Sequence, residues 1–389
     1  MSQVIRSTVR IVVRFGTLPL IALLDGYLRI FARGRILRVV VMDSRYFGHQ
    51  ALEPEVFCSD QILESEAGGH DFWRSCIGPR RSASNTYLWD LAKQRLPLLP
   101  SWFVTAIAHW TGRFKFPRIV LEDASIYRLN FLTSRKTTLP LGSDVVVRRN
   151  EILSHLAQPD RPYVVFTIRE FDPNDQHNDL RNRQIADFGL AMSELVSRGF
   201  NVIRLMSRTK DPLMVADRHH LDWQVERDGE PGDELAVFSG AAFVVSTTTG
   251  GDCLALAYRR PVLYLDCFRF PLVFLGTELA TFSIPRLLDS VTREQLALHD
   301  VLDRGLGWVA DQRLFFREGV TVLQSDPQKI RSQVIEYAEN LSERVVMNQD
   351  RAQQLWRSEL FERLGDEITA RHGIIKASML TSSIQEFAS

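Results

Sequence analysis

The second half of the chain alternates short apolar runs with amphipathic stretches, and this rhythm restricts the fold more than any other feature. Tyr163–Ile168, Asn201–Met206, Ala242–Ser246 and Pro261–Asp266 read as buried strands. Between the first two, Ile185, Phe188, Met192, Leu195 and Val196 repeat at helical spacing up to Gly199, a natural C-cap. Asp233–Gly240 and Asp252–Tyr258 read as further helices. Such alternation calls for a parallel, doubly wound sheet with ligands at the C-terminal strand ends.

The first half carries a weaker form of the same pattern. Ile36–Asp43 is a valine-rich run suited to a buried parallel strand, and the turn Ser44–His49 follows it. Arg118–Leu121 and Val145–Val147 read as further strands, whereas 155–162, polar with two prolines, reads as an interdomain linker. From Asp326 onward Ile330, Val334, Tyr337 and Leu341 line one helical face. At 389 residues the chain is too long for one ordinary domain. The expected division is a basic N-terminal segment (1–35), a first α/β domain (36–155), a second (156–325) and a helical C-terminal segment (326–389).

Charge excludes one class of partner and suggests another. Lys+Arg and Asp+Glu balance at 47 each, so no global field draws the molecule to nucleic acid. The four cysteines (Cys58, Cys76, Cys253, Cys267) form no CxxC pair, which argues against structural zinc and fits a reducing cytoplasm. Residues 1–38, however, hold seven arginines and a single acid, Asp25. Arg6, Arg10 and Arg14 recur every fourth residue, and Arg14, Pro19 and Asp25 break the apolar run before it is long enough to span a bilayer. Two readings stay open: a helix lying on an anionic membrane surface, or one packed on the first domain with solvated arginines.

Three segments carry candidate chemistry. In Phe243–Gly251 (FVVSTTTGG) a strand runs into Ser246, Thr247, Thr248 and Thr249, then Gly250 and Gly251 open a helix. Hydroxyls and backbone amides there suit a phosphate or diphosphate, although neither a Walker A loop nor GxGxxG is present. The alternative is a tight turn with Thr249 or Asp252 as the cap. Thr167-Ile168-Arg169-Glu170 follows another strand; with Arg181, Asn182 and Arg204 it suggests an arginine clamp on phosphates, against the alternative of structural ion pairs with Glu170 and Asp172. In Arg45–Glu53, His49 is a candidate general base with Glu53 placed to orient it, or a structural loop histidine. His219-His220 lacks a third ligand, and Asp172-x-x-Asp175 is a poor metal signature.

In TIRE (167–170), DLRN (179–182), GFNVIR (199–204), DEL (233–235), FVVSTTTG (243–250) and Pro261 the chain resembles a group of bacterial surface-polysaccharide glycosyltransferases with the GT-B fold. Leu287–Gly305, GVTVLQSDPQKI (319–330) and RYFGHQALEPE (45–55) resemble other segments of that group. Two positions depart from it: Thr167 stands where the group has His, and Glu170 where it has Asp.

The resemblance implies an α/β, GT-B-like fold, with two Rossmann-type doubly wound domains facing a cleft, an N-terminal basic amphipathic helix and C-terminal helices. It implies a metal-independent transferase using a nucleotide-sugar as co-substrate, no other cofactor, and a glycan or lipid-linked acceptor. Arg169, Arg181, Asn182, Arg204 and Ser246–Gly251 would then hold the donor diphosphate, with Asp233 or Glu234 on its ribose. His49 would activate the acceptor hydroxyl if the reaction inverts configuration. The implied location is the cytoplasm, peripheral to the membrane. Two alternatives remain: a non-catalytic carbohydrate-binding or assembly partner, and a nucleotide-sugar epimerase or hydrolase.

Overall fold

The computed structural model describes residues 3–32, 35–42, 44–66, 68–78, 80–111, 113–123, 139–170, 176–206, 217–224, 229–269 and 279–342. Asp172, Asp175, the side chains of Arg6, Arg10 and Arg14, and the C-terminal segment past 342 lie outside them. The chain forms two compact units, Met1–Ile126 and Tyr127–Ser389.

The first unit opens with helix α1 (Gln3–Ile30), which continues through Pro19. Strand β1 (Leu37–Met42) leads into helix α2 (Phe47–Glu66), then β2 (Phe72–Ile77), α3 (Thr86–Arg95), α4 (Ser101–Thr111) and β3 (Ile119–Asp123). The strands form a parallel sheet in the order β2-β1-β3, with Leu37 opposite both Phe72 and Ile119. Ile21 and Leu28 on the inner face of α1 are buried with Val104, Ile107 and Trp110 of α4. Each such side chain contributes about 1.5–3 kcal/mol through removal from water. Asp25, itself buried, accepts from the backbone N–H of Arg118 (3.0 Å) and from Arg29 Nε (2.7 Å), so the helix is pinned where the chain enters β3.

In the second unit helix α5 (Ser143–Leu153) precedes β4 (Tyr163–Thr167), and α6 (Gly189–Ser197) leads to β5 (Asn201–Met206) and β6 (His220–Gln224). Helix α7 (Asp233–Ser239), β7 (Phe243–Ser246), α8 (Gly251–Ala257), β8 (Val262–Tyr264) and β9 (Ala280–Phe282) follow. The six strands β4–β9 form one wholly parallel sheet in the order β6-β5-β4-β7-β8-β9. Strand β10 (Arg286–Asp289), α9 (Leu298–Asp303), α10 (Gln312–Arg317), β11 (Val320–Leu323) and α11 (Pro327–Ser342) complete the described chain, with β10 and β11 antiparallel. Asp326 caps α11, its carboxylate accepting from Lys329 N at 2.8 Å ahead of Pro327 at the first helical position. Ile330, Val334 and Tyr337 of that helix are buried against Phe188, Met192 and Leu195 and the sheet residues Val164, Phe166 and Phe243.

Both units are therefore α/β with parallel sheets, but several local expectations differ. Val145–Val147 is helical: α5 packs on α7, and Arg148 binds Asp233, so docking overrides β-branched propensity. Segment 155–162 is bonded into the second unit, with Ala157 N donating to Arg218 O (2.9 Å) and Asn201 Nδ2 to Gln158 O (2.7 Å). The compact units divide earlier, at 126/127. The expected turn Ser44–His49 already contains the first residues of α2.

Candidate functional site

From β4 the chain winds outward to β5 and β6; it then returns to β7 beside β4 and winds the other way to β8 and β9. The connections after the adjacent strands β4 and β7 diverge, which leaves a crevice at their C-terminal ends, the ligand position in open α/β sheets. Thr167 and Ser246 are register partners at that point. TIRE and STTTGG are consequently neighbours although about eighty residues separate them.

Hydroxyls knit the two segments together. Thr247 Oγ1 accepts from the Arg169 backbone N–H (2.8 Å), and the Thr167 and Thr249 hydroxyls share a hydrogen bond of 2.7 Å. Arg181 Nε donates to Thr248 Oγ1 (2.9 Å), and its Nη2 donates to the Thr248 carbonyl. Arg169 Nε donates to Asn182 Oδ1 (3.1 Å). The half-buried Arg181 guanidinium thus stands on the hydroxyl loop, whereas Arg169 meets the loop through its backbone N–H and turns its guanidinium to Asn182. Thr248 has φ of 59°, a left-handed conformation that a β-branched residue rarely adopts, and Arg181 clamps it there from two sides.

The glycines act differently from one another. Gly250 caps α8, whereas a Cβ on Gly251 would lie 2.9 Å from Phe238 Cζ and 3.1 Å from Thr167 Oγ1. Phe238 is fully buried, so the ring has little room to yield. Gly251→Ala is expected to lower stability by about 1–3 kcal/mol through overpacking. Urea denaturation checks this, and an unchanged midpoint would show that the helix start is loosely packed.

Beneath the loop lies Asp252, assigned above only as a possible cap. Burial drives its pKa up to about 6, against the opposing pull of the Ser246 hydroxyl (2.9 Å) and the Arg181 charge. Between pH about 4 and pH about 6 the native state holds this proton and the unfolded state does not, so stability falls as pH rises through that window. The expected loss is about 2–3 kcal/mol, and Asp252→Asn should abolish most of it. Unfolding curves at pH 4.5 and pH 7 test this; identical pH slopes in the two proteins would contradict it.

Two expected donor ligands have other partners. Arg204, only 2% exposed, donates to Glu170 (2.9 Å) and to Asp222 (3.3 Å). It is held in a carboxylate–guanidinium–carboxylate array across β4, β5 and β6, and does not join the clamp. Asp233 is fully buried by the edge strand β6, accepting from Arg148 Nε (2.6 Å), Trp223 Nε1 (2.9 Å) and Glu230 N (3.0 Å). Those bonds make it an anchor between α5, α7 and β6. Glu234 stands half-buried beside it on the first turn of α7.

Arg183, absent from the sequence reading, is the buried member of the RNR run. It pairs with Asp266 after β8, and donates to Ser325 O at 2.6 Å. Asp266 also accepts from Ser325 N and Oγ, both at 2.8 Å. Asp179 meanwhile accepts from Gln312 N (2.9 Å). These bonds fasten the DLRN segment to the 311–325 region and hold Arg181 in place. A carboxylate closing the apolar run Pro261–Asp266 was the available signal.

In the first unit His49 lies on the first turn of α2, past the end of β1. Its Nδ1 is 2.6 Å from Glu53 Oε1, one helical turn on; His49 is half exposed and Glu53 buried. The pairing with Glu53 fixes the ring's orientation through Nδ1.

Among the described residues no group of three or more His, Cys, Asp or Glu side chains is arranged to hold a metal ion. No family model matches the sequence, and no curated protein matches it. Solved structures share its outline at low identity. ADP-heptose lipopolysaccharide heptosyltransferase II of E. coli is 13% identical with a TM-score of 0.42, over 79% of this chain and 99% of that one. A glycosyl transferase family 9 protein of Veillonella parvula is 10% identical with a TM-score of 0.44, over 79% and 97%. The dodecameric iron-containing heptosyltransferase TibC, described with ADP-D-beta-D-heptose, is 14% identical with a TM-score of 0.41, over 80% and 76%.

Proposed function

We propose that this protein is a glycosyltransferase of GT-B type that moves a sugar from a nucleotide-sugar to a glycan or lipid-linked acceptor in bacterial cell-surface polysaccharide synthesis. The observation that carries the reading is the Arg181 guanidinium on the hydroxyl loop, with the Arg169 backbone bonded to Thr247 and its guanidinium to the neighbouring Asn182, at the switch point of a six-stranded parallel sheet. Departure of the sugar leaves negative charge on the distal phosphate. Fixed guanidinium groups and hydroxyl donors stabilise that charge without reorganising, and so favour the transition state over the ground state. In this reading no metal is needed, because the arginines supply the positive charge.

His49 is the proposed base that takes the proton of an acceptor hydroxyl, with Glu53 fixing its tautomer and stabilising the imidazolium. The reading places the enzyme in the cytoplasm, at the inner face of the membrane. The test is nucleoside-diphosphate release from a panel of nucleotide-sugars, ADP-heptose included, with and without lipid-linked acceptors. His49→Ala should lower acceptor-dependent turnover about 100-fold while donor affinity holds. Unchanged turnover would remove His49 from the mechanism.

A second reading, a non-catalytic sugar-nucleotide-binding partner, draws on Thr167. Its hydroxyl is engaged with Thr249, and the side chain offers no group for proton transfer where the resembled glycosyltransferases carry His. Donor binding without turnover across the acceptor panel would select it.

A further inference from the structure

We infer that the outer face of α1 docks on an anionic lipid bilayer, with the helix lying in the plane of the interface. Ile21, Leu28 and Asp25 face the first unit's core, as described. The opposite side of the same helix is also apolar. Leu20, Leu23, Tyr27 and Ile30 are 53%, 70%, 54% and 73% exposed, and Phe31 just beyond the helix is 72% exposed. Their spacing of three and four residues places them on one stripe, and the Tyr27 and Phe31 rings stack at 5.8 Å. In the sequence Ile5, Val9 and Val12 continue that spacing toward the N-terminus. The exposed apolar stripe from Leu20 to Phe31 marks an interaction surface.

The surrounding charge selects the occupant. Trp110 Nε1 donates to Thr17 of α1, and Phe114 packs on the Trp110 ring at 5.7 Å, so the turn 113–115 lies against the same helix pair. That turn exposes Phe114 between Arg113 and Lys115. Residues 1–38 hold seven arginines in sequence, of which Arg29 pairs with Asp25 and Arg38 with Asp71, and their single acid, Asp25, is buried. A second copy of this face would set Arg113 and Lys115 against the same cations. Anionic headgroups meet them with opposite charge, and the acyl boundary receives the apolar stripe. Among the described residues no helix is long and apolar enough to cross a membrane, so the contact is with the surface. The inference is independent of the transferase reading, because it concerns vesicle binding alone.

The test is co-sedimentation of the full chain with vesicles of phosphatidylcholine alone and of phosphatidylcholine mixed with phosphatidylglycerol. Binding to the anionic vesicles only, weakening as salt is raised, is the expected result. Leu23→Ser, Ile30→Ser and Phe31→Ser together should reduce that binding about tenfold or more by removing buried apolar area, with no change in melting temperature since all three are exposed. Failure of the wild type to sediment with anionic vesicles would overturn the inference, as would a triple variant that binds equally well. A dimer that the triple variant dissociates, without vesicle binding, would assign the face to a second copy and likewise overturn it.

Discussion

Arg204→Ala is expected to unfold the second unit far more than it disturbs ligand binding. The guanidinium is 2% exposed and bridges two carboxylates, Glu170 and Asp222, that are themselves 17% and 16% exposed. Removing it leaves two adjacent negative charges with little water to screen them, and a cavity at the C-terminal end of β5. Loss of one partner from a buried pair costs about 3–5 kcal/mol, and the residual exposure of the carboxylates points to the lower end, about 3 kcal/mol. Urea denaturation should report that loss. Arg204→Met combined with Glu170→Gln and Asp222→Asn should recover much of it, because no uncompensated charge remains. A variant as stable as the wild type but unable to bind nucleotide would return Arg204 to the donor site.

The second large effect is on turnover. Arg181→Ala removes the group that binds both the hydroxyl and the carbonyl of the strained Thr248, and it deletes the guanidinium that stands on the loop. The transition state should lose about 100-fold or more in kcat/KM, the usual scale for one preorganised donor to developing charge. Stability should fall by only about 1 kcal/mol, the net worth of a typical hydrogen bond. Arg181→Lys should not rescue activity, since an ammonium cannot hold two oxygens with a planar fork. Steady-state kinetics on the cognate nucleotide-sugar check this, and wild-type kcat/KM in Arg181→Ala would remove the residue from the clamp.

Legibility followed the chemistry of each segment. FVVSTTTGG was readable because a buried strand ending in hydroxyls and glycines has few uses, and the strands around it were continuous apolar runs. Asn201–Met206 emerges with the same bounds in the structure. Helix α2 was hidden because Pro54 interrupts it and its glutamates Glu53 and Glu55 are buried, so the polar residues do not mark an outer stripe. Val145–Val147 misled because β-branched residues favour strands in isolation, while α7 offers a docking face invisible in the local sequence.

At the site, what the sequence hid about Arg204 was its pairing. In sequence it closes an apolar strand as Arg169 does. Only the register, with Arg204 beside Asp222 of β6, reveals its partner. Strand β6 (HLDWQ) is an edge strand with little apolar alternation, so Asp222 gave no warning. Asp233 was read as ligand-facing because an acidic first turn suits a ribose, yet the Arg148 that claims it comes from a helix 85 residues earlier. Long-range partners of charged residues are the information a single sequence withholds.

The central claim is that Arg169 and Arg181 hold a nucleoside diphosphate on the hydroxyl loop. Isothermal titration of UDP, GDP, ADP, TDP and CMP into the full chain, each compared with its free nucleoside, tests it most directly. The account predicts binding of one nucleotide, dependent on its phosphate, and at least about tenfold weaker in Arg169→Ala, as loss of a charge-assisted bidentate contact requires. A cooperatively folded protein that binds none of them, or binds one equally well without Arg169, would contradict it.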